Sequence, residues 1–461
     1  MKKILLSGFI LIIQHVCAQI TSKDPAFASN GIFSMPGNIA WSRMIQNSDG
    51  SIYFTSGETN STTGLTDSFL SKLTPNGTLD NTFGINGKFQ LQYGAYDSQM
   101  KRQADGKFFI ISFHSDDLNS INYTDITRFL PNGQIDTSFG INGTASISNM
   151  WSDLNIRGYG LLLQNNKVII YGEATTGFTY SHYRIIYRLN ENGSIDTSFG
   201  NNGFITTQGR FVFLDNQLNT VVLEGTTIEK YNINGQPLTG FGNNGVVTHS
   251  IPYGYIGAAY MDSNNNIVYS NLNAEIGRIT PNGVQDPTFT FDPASLPFAT
   301  WILNIIEKNG YYYIGGMNEG SDPRYFISRL TQNGSIDPVF GYFSETDPNL
   351  ELVGDMIVND NNIIANGSGH IVKYLLNSGT LSSSEIVKSN TNISFENPVK
   401  QNLIYKTREK ISKIEVYSGD GKLVKTLKEN NSDVSELPMG IYMTKVTFEN
   451  GKTVSKKLIK N

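Results

Sequence analysis

The groups that could do chemistry in this sequence are few and widely spaced. Beyond residue 15 the histidines are His114, His182, His249 and His370; none has a second histidine or a cysteine three to five residues away, the spacing a metal site uses. No Gly-x-Ser-x-Gly, His-Glu-x-x-His or glycine-rich phosphate loop occurs. Asp116-Asp117 is an adjacent carboxylate pair, and other carboxylates can meet only if folding unites distant segments. What does recur is a mixture of rings, imidazoles and carboxylates in stretches of variable length. These are His114, Asp116, Asp117 and Tyr123; Glu173, Tyr180, His182 and Tyr183; and Glu319, Asp322 and Tyr325. Rings that can stack, beside acceptors for hydroxyl or amide protons, suit recognition of a carbohydrate or a peptide, and they equally suit a hydrated rim.

Such stretches need a frame, and the frame is a phrase that returns seven times. Its first copy reads Lys72-Leu-Thr-Pro-Asn-Gly77-Thr-Leu-Asp80-Asn-Thr-Phe83-Gly84, and its sixth is Arg329…Asn333-Gly334…Asp337…Phe340-Gly341. A worn seventh copy is Lys373…Asn377-Ser-Gly379. The phrase glycines are 42 to 60 residues apart, as expected when loops vary around repeated, stacked supersecondary units. Upstream of each phrase is a second turn, such as Asp49-Gly50 or Asp105-Gly106, followed by an apolar run. In one unit, strands are expected at 88–93, 98–103, 107–113 and 125–130. Four strands per unit make a propeller blade, and seven blades are expected. The variable stretches then join the third and fourth strands of each unit and share one rim, opposite the Asp-Gly hairpins.

The phrase itself reads as structural. Asp80, Asp136, Asp196, Asp286 and Asp337 are placed to accept backbone N–H groups, with Leu238 standing in for the fourth. Phe83, Phe139, Phe199, Phe241, Phe289 and Phe340 are placed to plug gaps between blades. A basic residue opens every copy, so a repeated Arg/Lys–Asp contact between blades is expected. Calcium binding by these aspartates is possible but not indicated, because each stands alone and calcium loops cluster their oxygens; no cofactor is expected. Asp24…Phe27…Gly31 is the tail of the phrase without its beginning, and the seventh copy is the beginning without its tail. The two ends should therefore close a ring and leave no free sheet edge.

The phrase resembles the delta-60 repeat, a tandem unit best matched by residues 128–143 and 188–203, and the resemblance extends over roughly residues 20–381. It implies a propeller-like all-β fold in an exported bacterial protein, and it brings no established activity and no catalytic residue.

The two ends of the chain read as addresses. Lys2 and Lys3, the apolar run 4–13 and Val16-Cys17-Ala18 form a signal peptide over 1–18, too short in its apolar part to span a bilayer. Cys17 is the single cysteine, so the chain beyond it has no disulfide or thiolate chemistry. A propeller is expected over 19–380 and a polar linker over 381–392. Residues 393–461 carry thirteen basic and eight acidic residues, against twenty and thirty-two between the leader and residue 390. Alternating runs around Asp420-Gly421 and Asn450-Gly451 read as a small Ig-like β-sandwich. This tail is similar to the type A C-terminal sorting domain of the type IX secretion system. The similarity rests on Ile414-Glu-Val-Tyr417, Gly421-Lys422, Leu437-Pro438-Met-Gly440-Ile-Tyr442 and the closing Lys456-Lys-Leu-Ile-Lys460. It implies Sec export, passage through the type IX machinery, and release or attachment at the outer surface, with no transmembrane segment.

Three readings follow: a binding module for an extracellular carbohydrate or protein, a polysaccharide hydrolase or lyase with carboxylates at the propeller axis, and a purely structural adhesin. An acidic main domain argues against nucleic acid as a partner.

Overall fold

The computed structural model describes residues 19–35, 42–59, 66–91, 99–116, 121–147, 154–176, 181–248, 256–271, 274–296, 300–318, 323–376, 393–395, 398–407, 410–418, 422–428, 432–449 and 453–461. The signal peptide, the linker, Asp117, Tyr180, His249, Glu319, Asp322, Asn377, Gly379 and Gly421 lie outside them. The chain divides into two compact units, Met1–Thr380 and Leu381–Asn461.

The first unit is built of antiparallel sheets, seven among the described residues. A complete example is Leu154–Gln164, Lys167–Thr176, Ser181–Leu189 and Phe204–Thr207, paired in chain order. We call the four positions a to d. The a strands, such as Met44–Gln46, Met100–Arg102 and Leu154–Gln164, each lie beside the a strands of the two neighbouring sheets, and Asp355–Val358 of the last meets Met44–Gln46 of the first. The sheets therefore encircle a common axis with the a strands innermost. Strand b is buried on both faces: Phe108, Phe109 and Ile110, or Val168, Ile169 and Ile170, each at most 1% exposed. A sheet stacked between two others has no solvated face, which is why these runs do not alternate.

The repeat is phased differently from the expected unit. Lys88–Gln90 does not begin the second sheet; it pairs with Thr66–Leu73 as strand d of the first. The phrase is thus the c–d connection, and the variable stretches join b to c. Hydrogen-bond partnership is set by the tight turn after Phe83, where Ile85 and Lys88 exchange backbone bonds and fold the chain back on its own sheet.

Closure joins the chain ends. Ile20–Lys23 and Ile32–Ser34 both pair with His370–Leu376. Asp24 lies 2.9 Å from Lys373, so the phrase begun at Lys373 is completed by a segment almost 350 residues upstream. Phe27, 1% exposed, occupies the place of the phrase phenylalanine.

The phrase packs the same way in unit after unit. Lys72–Asp80, Arg128–Asp136, Arg188–Asp196 and Arg278–Asp286 are ion pairs of 2.7 to 2.9 Å. Each closes within one sheet, eight residues apart, rather than between sheets as expected. The arginine crosses to the next sheet through another atom: Arg128 Nη1 donates to Glu191 O at 2.7 Å, and Arg278 Nη1 to Gln332 O at 2.6 Å. A carboxylate already held by two backbone-near donors has no reach across a sheet gap, whereas a guanidinium has five donors in a fork. Where Leu238 replaces aspartate, Lys230 turns to Asp215 at 2.8 Å. Asp136 Oδ1 also accepts from the N–H and hydroxyl of Ser138. Burial works to raise the Asp136 carboxyl, but Ser138, Lys107 and Arg128 outweigh it and bring it down to about 2.

Phe139 and Phe199 are fully buried, Phe340 is 1% exposed, and Phe83, Phe241 and Phe289 are 6 to 8% exposed. Phe83, Phe139, Phe199, Phe241 and Phe289 each lie beneath the Asn-Gly turn of the next unit. A Cβ on Gly133 (φ +82°) would stand 2.3 Å from the Phe83 ring. Backbone bonds staple the same junction, as in Gly140 N–H to Asn192 O and Gly200 N–H to Asn234 O, both 2.8 Å.

The second unit has a four-stranded sheet in the order Leu423–Lys428, Ile411–Tyr417, Gly440–Phe448, Thr453–Lys460, and a pair Ile393–Phe395 with Tyr405–Thr407. One apolar cluster, including Leu403, Val416, Val434, Val446 and Leu458, joins them. Leu437 and Tyr442 are buried in it, and the Tyr442 hydroxyl donates to Pro438 O at 2.8 Å, which locks the Leu-Pro-x-Gly turn. Gly440 stands opposite Lys460, which is 8% exposed.

Candidate functional site

The a strands carry local irregularities that aim side chains at the axis. Pairing slips between Gly158 and Gly160, between Ile256 and Ala258, and between Ile302 and Asn304. The residue left over in each slip is Tyr159, Gly257 or Leu303, and all three line one cavity. A β-bulge inserts an unpaired residue and re-aims it, so three bulges at matching places widen and furnish the channel.

That cavity has a volume of about 790 Å³. It lies where the a strands begin. There Leu154 pairs with Thr176, the end of strand b that leads into the variable b–c connection, so the cavity opens toward that rim. Arg43, Arg157, Arg184 and Arg210 line it, with Tyr159, Gln99 and Asn304, and among the described residues no carboxylate is in its walls. A second stretch of about 560 Å³ shares Arg43, Gln99, Tyr171 and Phe213 with it and adds Lys101 and Asp355. Both continue along the axis.

The arginines are held in place from several sheets. Glu173 stands between Arg157 and Arg184 in the strand register, and Arg184 Nη1 donates to Glu173 Oε2 at 3.2 Å. The Arg157 and Arg184 guanidinium groups lie 5.5 and 5.4 Å from the centre of the Tyr159 ring. Burial pushes the Tyr159 hydroxyl up, and its bond to Glu173 adds to this. Arg43 Nη1 donates to Gly354 O at 3.0 Å and stands 3.9 Å from Asp355, whose other oxygen accepts the Met44 N–H. Burial pushes Asp355 up and Lys101 down, both toward neutrality. Lys101 is accessible within the channel, and the walls around it supply the burial that lowers it.

Of the residues singled out in the sequence, Glu173 belongs to this site. Tyr183 is half-buried and packs on the cluster around Leu161, Ile170 and Ile185. Tyr325 is not on the rim. It is fully buried, with its hydroxyl donating to Gly367 O at 2.7 Å, because strand c starts there between two sheets. His114, Asp116, Tyr123 and His182 fall on strands b and c at the ends that face the b–c connection. The arginines escaped the sequence reading because they are single residues in unrelated segments. The available signal was position: Arg43 and Arg210 each immediately precede an a strand.

Comparison with known proteins finds a family match within each of the two units. Residues 394–461 match the secretion system C-terminal sorting domain. Residues 47–83 and 163–199 match the beta-propeller domain of unknown function DUF5122, each match running from an a–b hairpin to a phrase phenylalanine. No curated protein matches. Among solved structures, PorZ, an essential bacterial surface component of the type-IX secretion system of Porphyromonas gingivalis, is 12% identical with a TM-score of 0.44. The overlap covers 93% of this chain, which spans 60% of the PorZ chain. YCF48 from Cyanidioschyzon merolae is 12% identical with a TM-score of 0.37, over 73% of this chain and 99% of that one. The extracellular domain of the putative one component system BT4673 from B. thetaiotaomicron is 10% identical with a TM-score of 0.33, over 91% and 74%. The chain is a β-propeller protein with a type IX sorting tail, and it is secreted or displayed at the cell surface. Among the described residues no helix is long and apolar enough to cross a membrane.

Proposed function

We propose that this sorted propeller has seven blades, enters the export route through a signal peptide at 1–18, and works outside the cell as a binding module for a saccharide. The single observation that carries the reading is the furnished axial cavity. It has the size of a small-ligand site, it opens toward the variable b–c connections, and it combines a ring with charged and amide donors. Seven sheets, each touching the next around the axis, support the blade count. A protein ligand would have to use the rim, whereas a sugar of a few rings can enter the cavity. The hydrolase or lyase reading has less support. It needs two converging carboxylates, and among the described residues Asp355 is the one carboxylate in the walls of either stretch.

Two experiments test this. Chains lacking residues 393–461 should accumulate in the periplasm, followed by fractionation and immunoblotting; unchanged delivery to surface or medium would refute the cargo role. Purified protein spanning 19–461 should bind saccharides on a glycan array, and silence across the array would leave the structural-adhesin reading in its place.

A further inference from the structure

We infer that the axial cavity is a receptor for the acidic end of a uronic-acid saccharide, with Arg157, Arg184 and Arg210 gripping the carboxylate and Tyr159 supporting the sugar ring. This rests on the saccharide-binding reading and narrows it by charge.

The argument begins with sign. The part of the chain between the leader and residue 390 has twenty basic and thirty-two acidic residues, so its surface field is negative. Against that background four arginines converge on one cavity from the first, third and fourth sheets. Glu173 and Asp355, the carboxylates beside them, offset the four only in part. A concentration of positive charge inside a negative body selects an anion that enters the cavity and repels a polyanion lying across the surface. The ligand is therefore a short acidic oligosaccharide or the end of a longer chain.

Geometry narrows the chemistry further. The guanidinium fork matches a planar carboxylate with two parallel N–H···O bonds. Glu173 holds the Arg184 guanidinium at 3.2 Å and the Tyr159 ring lies against both Arg157 and Arg184, so the two groups are positioned before any ligand arrives, which lowers the entropy lost on binding. The volume of about 790 Å³ is far larger than a free inorganic anion needs and suits two or three sugar rings. Gln99 and Asn304, also in the wall, supply amides for hydroxyl groups.

The test is calorimetric titration of the 19–461 protein at low salt with trigalacturonate, its fully methyl-esterified form, and sodium phosphate. Variants are Arg157→Gln, Arg184→Gln and Arg210→Gln, with Lys308→Gln as a charge control outside the cavity. Arg210 is exposed and precedes its strand, so its removal leaves the fold intact even if an Arg157 or Arg184 variant misfolds. Trigalacturonate should bind, the ester ~10-fold or more weakly, and each arginine variant should lose ~10- to 100-fold, as one charge-assisted contact predicts. Affinity should fall with added salt, and Lys308→Gln should bind like the parent. Equal binding of acid and ester, or unchanged affinity in Arg210→Gln and Arg157→Gln, overturns the charge inference and leaves saccharide binding standing. Phosphate binding as tightly as the sugar overturns the saccharide part. Silence from all three ligands overturns both.

Discussion

Phe139→Ala tests the inter-sheet plug directly. The Phe139 side chain is fully buried, its ring meets Phe109 edge-on at 5.3 Å, and the Arg128 guanidinium lies 4.8 Å from its centre. Truncation removes the buried ring and leaves a cavity, which costs about 3–5 kcal/mol. Loss of the cation–π contact adds about 0.5–1 kcal/mol. Ile141, two residues on in the same turn, is 82% exposed, so Ile141→Ala should cost less than about 0.5 kcal/mol. Both variants truncate a large apolar side chain of the same turn, one inside the gap and one in water. The three tryptophans, Trp41, Trp151 and Trp301, all precede residue 380, so fluorescence during guanidinium unfolding follows the propeller unit alone. Phe139→Ala should lower the midpoint markedly with an unchanged slope, and Ile141→Ala should overlay the parent. A loss below about 1 kcal/mol in Phe139→Ala, or equal losses in both, would refute the plug.

Three further outcomes are expected. Gly133→Ala should destabilise by about 1–3 kcal/mol in the same assay, since φ is +82° and the new Cβ meets the Phe83 ring at 2.3 Å; a neutral result would mean the turn is not packed on that ring. Acid should loosen the propeller between about pH 4 and 2. The Asp136 carboxyl titrates near 2 when folded and near 3.8 when free, so its contribution is complete above pH 4 and is lost as pH falls through its folded value. Asp136→Asn should flatten that part of the stability–pH curve, and an identical curve would contradict the assignment. Charge reversal at the closure, Asp24→Lys, should lower the fluorescence midpoint, and Asp24→Lys with Lys373→Asp should restore part of it. No recovery would show that the pair at 2.9 Å does not hold the ring shut.

Much of the frame was legible from local chemistry. An Asn-Gly or Asp-Gly step demands positive φ, and Gly77, Gly133 and Gly193 adopt it at +80 to +85°. An aspartate followed two residues later by a serine or threonine N–H makes its own turn, as at Asp80 and Asp196. The missing tail of the last phrase could be matched to Asp24 and Phe27 because both halves keep the same residue types. Tyr325 misled for a related reason: a tyrosine beside a polar stretch reads the same whether its ring faces water or the neighbouring sheet.

What the sequence by itself determined is the repeat, the all-β content, the joining of the two ends and the sorting tail. Each of these rests on backbone preferences and residue types within a few positions of one another. Only the tertiary structure decided which sheet owns Lys88–Gln90, that the arginine–aspartate pairs close inside a sheet, and that Arg43, Arg157, Arg184 and Arg210 face one cavity. Strand pairing and convergence on an axis depend on how separate sheets stack, and nothing within a few residues of an arginine encodes which other arginines it will meet.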